Sequence, residues 1–255
     1  MINPMRRCKK FVIWGCRLTL RSCTFSESHL SLNPYDDDFS KRLAAPDGHR
    51  NIIGGLWDEM GSLQRDYLVD QGLRPNDRLI DIGCGSLRAG VALVPYLDPG
   101  HYYGVDYLGA LLEEGYEKEI RPLGLVNRLP RENLAEERAF LLPFDGVVFD
   151  VALAQSVFTH LPINHLRLCL TRLRPCMKAG GRFFCTFFMA EDEVDASAGI
   201  RQPPHGEVET FSFCDPFHVW ERDIRFAMEG LAWRLDGIRD WNHPRGQQMA
   251  HFVAI

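Results

Sequence analysis

The chain has 255 residues, of which 45% are hydrophobic and 25% charged, with a formal net charge of −5. That length supports one large domain with a full core. No apolar stretch is long enough to span a membrane, and the acidic balance gives no electrostatic case for a nucleic-acid partner.

Residues 1–26 carry Arg6, Arg7, Lys9, Lys10, Arg17 and Arg21 and no acid. With the acidic cluster Asp36-Asp37-Asp38 behind them, residues 1–45 read as a tail. It is either disordered or, in composition, an organelle transit segment. Residues 46–255 read as one domain. Leu56, Met60, Leu63, Tyr67 and Leu68 share a face and predict a helix over Leu56–Gly72. Arg78–Ile82 is the first strand, Ser86–Tyr96 a crossover helix, Tyr102–Val105 the second strand and Leu108 to about Leu123 the second helix. Arg138–Leu142 is assigned as a short third strand and Val147–Ala154 as a fourth. A helix over Pro162–Met177 follows, and the fifth strand is Arg182–Met189. Residues 190–214 break the alternation. Asp215–Leu231 is expected to be helical. Trp233–Asp240 and Met249–Ile255 are separated by too few residues for a helical crossover, so they pair antiparallel. The expected fold class is therefore α/β, a Rossmann-like, doubly wound, mostly parallel seven-stranded sheet with an antiparallel C-terminal strand and helices on both faces.

Within that frame Leu79-Ile80-Asp81-Ile82-Gly83-Cys84-Gly85-Ser86 reads as a strand, a tight glycine turn and a helix start. This is where such sheets bind ligands. The second strand ends in Asp106, and a carboxylate there suits the two hydroxyls of a ribose. Together these features point to a nucleoside-containing cofactor. The eight cysteines form no Cys-x-x-Cys pair and no Cys/His cluster of zinc spacing. They predict no metal site, and they read as reduced thiols in a cytoplasmic chain. An organellar location is the alternative if the basic segment is a transit peptide.

Four motifs in order carry a family resemblance. Asp81-Ile82-Gly83-Cys84-Gly85 resembles the first motif of class I S-adenosylmethionine-dependent methyltransferases, and Asp106 matches the acid that ends their second strand. Phe149–Ser156 with His160-Leu161 is similar to their fourth-strand motif. Leu173-Arg174-Pro175 with Gly180-Gly181-Arg182-Phe183 resembles the approach to their fifth strand. The string Gly83–Arg88 and the final His243-Pro244-Arg245-Gly246-Gln247 resemble an uncharacterised branch to which no substrate is attached. The chain departs from the family at Leu87, where a third glycine is common. It also departs after the assigned third strand, which offers no acid for the adenine amino group.

The resemblance implies S-adenosylmethionine as cofactor. Gly83, Cys84 and Gly85 would let the backbone approach it, and the helix start at Ser86 would face its methionine carboxylate. Asp81 would meet its ammonium and Asp106 its ribose. Tyr107 and Leu108 would flank its adenine, and Gln155 and Ser156 would lie beside its sulfonium. The reaction implied is in-line methyl transfer to an unknown acceptor, expected to be a small molecule. No catalytic residue is assigned, and His160 is a candidate base. The segments expected around the acceptor are the insert Ala190–Cys214, the connection Trp241–Gln248 and a lid over His49–Glu59 with Arg50 and Trp57. His205, His218, His243 and Arg245 are acceptor-side candidates, and Arg88 is a candidate carboxylate partner. Two rivals stand beside this reading. A nicotinamide-dependent oxidoreductase needs a glycine where Arg88 stands. A methyltransferase-like scaffold without catalysis remains compatible with the same fold.

Overall fold

The computed structural model describes residues 37–204 and 206–255, so His205 and the basic segment lie outside the described residues. In chain order the elements are α1 (Asp37–Ala44), α2 (Gly48–Ile52), α3 (Trp57–Asp70), β1 (Leu79–Ile82), α4 (Arg88–Leu93), β2 (Tyr102–Asp106) and α5 (Gly109–Gly115). They continue with β3 (Leu134–Glu136), β4 (Phe149–Ala154), α6 (Asn164–Leu173), β5 (Met177–Met189), β6 (Ile200–Arg201) and β7 (Glu209–Thr210). The last are β8 (His218–Val219), α7 (Glu221–Met228), β9 (Trp233–Arg239) and β10 (Gln248–Ala254).

The main sheet runs β3-β2-β1-β4-β5-β10-β9, with β8 added beside β5. The pairings among β1 to β5 are parallel, and β10 pairs antiparallel with both β5 and β9. The one reversed strand is the one the sequence predicts, but the sheet has eight strands rather than seven, because the short β8 joins beside β5. The strand residues alternate between two cores. Ile80, Ile82, Ala152 and Phe183 pack on one face with Leu166, Leu170 and Ile224 of α6 and α7. Leu79, Val151, Leu153 and Phe184 pack on the other with Met60, Leu68 and Leu93 of α3 and α4. A strand buried on both faces reads as a continuous apolar run, and β1 and β4 carry that signature in the sequence.

Four local expectations need correction. The third strand is Leu134–Glu136, not Arg138–Leu142. Leu134-Ala135-Glu136 is too short and too weakly apolar to announce itself. The more apolar stretch behind it turns through Phe140, at φ 59, and stacks that ring on Phe158 at 6.1 Å. The first crossover helix is only Arg88–Leu93, because Pro95 cannot donate to a further helical turn. The helix predicted from Asp215 starts at Glu221. Its N-terminus is set by the Asp223 carboxylate, which accepts the Trp220 N–H at 3.0 Å, and His218-Val219 is strand instead. Asp37–Ala44, assigned to the tail, is a helix with Phe39 buried.

In doubly wound sheets the ligand crevice lies at the C-terminal ends of the strands, here those of β1, β2 and β4. The segment Gly48–Leu56 lies across it. After α2 the segment turns irregular, with Gly54, Gly55 and Leu56 all at positive φ.

Candidate cofactor and acceptor crevice

Gly83 and Gly85 occupy the left-handed region at φ 72 and 56. A side chain at either position would be strained, and it would also collide. A Cβ on Gly83 would strike the Val157 methyls, and one on Gly85 would lie 2.8 Å from Ile53 Cγ2. Leu87 takes a left-handed φ of 69 where relatives of this kind often have glycine, and its side chain is fully buried. The turn is thus built with two glycines, and the departure at Leu87 is absorbed by core packing. Cys84 points the other way. Its thiol is buried in the core beside Gly104 and Leu134, and burial pushes its pKa well up. Only its backbone faces the turn.

Asp106 connects the turn to the next helix. One carboxylate oxygen accepts the Gly85 N–H at 2.8 Å and the other accepts the Leu108 N–H at 2.8 Å. Burial raises its pKa, the two backbone donors counteract the rise, and the nearby Glu136 carboxylate adds to it. A carboxylate has about four acceptor positions, so two backbone bonds leave capacity for a diol. Beside it Tyr107 is exposed, and the Arg138 guanidinium lies 4.7 Å from its ring centroid. Asp81 is buried, accepts the Tyr102 hydroxyl at 2.7 Å, and is pushed up to about 7 by burial.

β3 ends on an acid after all. Asp106 and Glu136 are register partners at the tips of β2 and β3, and the Glu136 carboxylate approaches Gly109 at the start of α5. Glu137 is used differently, since its Oε2 accepts the Ala139 and Leu141 N–H groups at 2.7 Å each and holds the following turn. The misplaced third strand concealed Glu136; its only sequence signal was an acid ending a short apolar run.

Beyond β4 a network of amides and hydroxyls forms the opposite wall. Ser156 adopts a left-handed φ of 59, its N–H donates to Thr186 Oγ1 at 2.7 Å, and its hydroxyl meets the Gln247 side chain at 2.8 Å. Gln155 is buried, and its Oε1 accepts from Arg88 Nη2 at 2.6 Å. Its amide nitrogen bonds Ser156 Oγ and approaches His243 Nε2 at 3.5 Å. His243 is held down to about 4 by burial and by the Arg245 and Arg88 charges, so it is neutral at pH 7. Its Nδ1 accepts the Arg245 backbone N–H at 3.1 Å, which places the proton on Nε2 and leaves no lone pair facing Gln155.

The remaining candidates divide. His160 is exposed and pairs with Asp215 at 2.7 Å. His218 is buried on β8 with Nδ1 3.0 Å from Thr210 Oγ1. The insert contributes the small β6–β7 ribbon, whose Pro203 abuts Gly246. The lid is anchored strongly. Glu119 accepts Arg50 Nε at 2.6 Å and Arg50 Nη2 at 2.9 Å, and it lies 2.6 Å from His49 Nε2. Ser86 Oγ, expected at a helix start, instead donates to the His49 carbonyl at 2.7 Å. Among the described residues no cluster of His, Cys, Asp and Glu could hold a metal, and no helix is long and apolar enough to cross a membrane.

A family model for a methyltransferase domain matches residues 80–183, the stretch from β1 into β5 that carries this crevice. Residues 80–183 match a methyltransferase domain, and the fold around them is that of S-adenosylmethionine-dependent methyltransferases.

Solved structures share the architecture of this methyltransferase domain. Magnesium protoporphyrin IX methyltransferase from Synechocystis PCC 6803 with bound S-adenosylhomocysteine superposes with a TM-score of 0.59 at 15% identity, over 87% of this chain and 97% of that one. The pyocyanin biosynthetic protein PhzM gives 0.60 at 17% identity, over 86% of this chain and 62% of that one. An S-adenosylmethionine-dependent methyltransferase from Clostridium acetobutylicum ATCC 824 gives 0.57 at 15% identity, over 85% and 98%. At these identities the likeness is one of fold.

The crevice of the methyltransferase domain fits its cofactor chemically. Asp106 and Glu136 bring acceptors to one half, the kind of group that a ribose diol or an adenine amino group requires. Arg88, on the other half, is a buried cation whose Nε has no partner. A cofactor with a diol at one end and a carboxylate at the other matches that division of charge.

Proposed function

We propose that this methyltransferase acts on a small-molecule acceptor by in-line displacement, within a crevice covered by the Gly48–Leu56 lid and the β6–β7 ribbon. The observation that carries the cofactor half is Asp106, whose two oxygens tie Gly85 to Leu108 while retaining capacity for the ribose hydroxyls. Gly83 and Gly85 provide close backbone approach, with Cys84 contributing only its main chain. Tyr107 and Leu108 flank the adenine, and Glu136 takes its amino group. Asp81 lies behind the turn as the counter-charge for the cofactor ammonium. Gln155 and Ser156 line the reacting end.

S-adenosylmethionine supplies an electrophilic methyl when bound, so the protein's contribution is alignment and exclusion of water. The polar wall suits that task, because Thr186, Gln247 and Ser156 hold one another in place. With Nδ1 occupied by the Arg245 N–H, the proton of neutral His243 sits on Nε2 and no free lone pair remains there, so it does not supply a base. An acceptor with a lone pair already available at pH 7 is the class this wall serves. The enclosing lid and ribbon favour a small acceptor over a polymer. The free, buried Cys84, Cys169 and Cys185 support a reducing compartment such as the cytoplasm.

Calorimetric titration with S-adenosylhomocysteine, with NADH as control, tests the reading. Binding of the former alone is expected, followed by a screen of small acceptors for methyl incorporation. Saturable methylation of a polypeptide in preference to every small acceptor would overturn the substrate class.

A further inference from the structure

Arg88 is 8% exposed, yet none of its hydrogen-bond partners is charged. Nη1 donates to the Ile53 carbonyl at 3.2 Å and the Gly55 carbonyl at 2.8 Å, and Nη2 donates to Gln155 Oε1 at 2.6 Å. Nε is buried with no partner, and so is Oε1 of Gln64, whose amide nitrogen lies 3.5 Å from the same Gln155 oxygen. Asp81 acts on Arg88 only through space, and Arg245 acts against it. Arg245, on the connection between β9 and β10, donates Nη2 to the intervening Gly54 carbonyl at 2.9 Å. Two guanidinium groups, one from α4 and one from the β9–β10 connection, therefore hold three successive lid carbonyls, Ile53, Gly54 and Gly55.

Burying a guanidinium without a counter-charge is costly, and neutral carbonyls compensate it poorly. A carboxylate matches the guanidinium fork in charge and in bidentate geometry. We propose that Arg88 and Arg245 form a carboxylate-binding site, in which an incoming carboxylate displaces the lid carbonyls of residues 53–55. This rests on the cofactor reading above and adds to it a specific receptor and a coupling to the lid. The carboxylate belongs either to the methionine end of the cofactor or to the acceptor, and the site chemistry is the same for both.

Side-chain Nε–H resonances of arginine in the full chain test this directly, with S-adenosylhomocysteine, 5′-methylthioadenosine and acetate as probes. 5′-Methylthioadenosine keeps the nucleoside and thioether and lacks the amino-acid end. The expected result is that S-adenosylhomocysteine shifts the Arg88 signal and 5′-methylthioadenosine does not, which assigns the carboxylate to the cofactor. A shift produced only by acetate, with S-adenosylhomocysteine already bound, assigns it to the acceptor. An Arg88 signal that responds to none of the three overturns the proposal. In that case the Gly85 and Leu108 backbone amides report separately whether the cofactor reading survives. Arg88→Lys and Arg245→Gln should each weaken the responding carboxylate by about ten- to a hundred-fold, the range for a charged hydrogen bond, and leave 5′-methylthioadenosine unchanged. Equal weakening of 5′-methylthioadenosine by both variants would mean a purely structural role and would also overturn it.

Discussion

Gly85→Ala tests whether the lid rests on the glycine turn. At φ 56 an alanine pays the left-handed penalty of about 1–2 kcal/mol. Its Cβ would also lie 2.8 Å from Ile53 Cγ2, a separation that real contacts do not reach, so Ile53 must move and surrender its packing. Ile53 is half-buried, which makes that second contribution about 1–2 kcal/mol, below the range for a fully buried residue. The backbone N–H that Asp106 accepts is retained, so the cost comes from conformation and collision alone. Gly85→Ala should therefore destabilise by about 2–4 kcal/mol. In an Ile53→Ala background only the conformational part should remain. Urea unfolding of the two single variants and the double variant gives the cycle, and a coupling of about 1 kcal/mol or more is expected. Additivity within about 0.5 kcal/mol would refute the contact.

The remaining predictions concern the acids and one histidine. Asp106→Ala should reduce S-adenosylhomocysteine and 5′-methylthioadenosine affinity alike by at least tenfold in calorimetry, because the ribose is common to both. Asp81 titrates near 7 in the folded chain against an ordinary 3.8, so it favours the fold below about pH 4, and that advantage is lost as pH rises through 7. The stability difference between Asp81→Asn and the parent should shift in favour of the variant across that window, by roughly 4 kcal/mol at most; a flat difference curve would refute the assignment. Glu119 is held below its ordinary range by Arg50 and His49 despite its burial, so its contribution is present above pH 4.5 and lost on acidification through its folded value. Glu119→Gln should accelerate hydrogen exchange of the Gly48–Ile52 amides by about tenfold. His160→Ala should leave cofactor affinity unchanged and stability within about 0.5 kcal/mol, since its pair with Asp215 is exposed.

Much of the crevice was legible because its signals are local. A glycine turn between a strand and a helix, and an acid ending the next strand, are written in consecutive residues. Asp106, Gly83 and Gly85 stand where those patterns imply, and Gln155 and Ser156 follow β4 as expected. Glu136 was missed because three residues of weak pattern cannot compete with Phe140, Leu141 and Leu142, whose apolar character serves packing onto the core from a loop.

The alternation of apolar runs and helical faces, with a short connection between the last two strands, was enough to determine the parallel sheet and its single reversed strand. Backbone hydrogen bonding and right-handed crossovers leave few other arrangements for that pattern. Only the tertiary structure decided that Arg88, Gln155 and Arg245 meet the lid carbonyls of residues 53–55, because those partners lie far apart along the chain. It also decided that Cys84 faces the core and that His243 carries its proton on Nε2. Such outcomes depend on which side chains are brought together out of water, and hydrophobic periodicity carries no information about that.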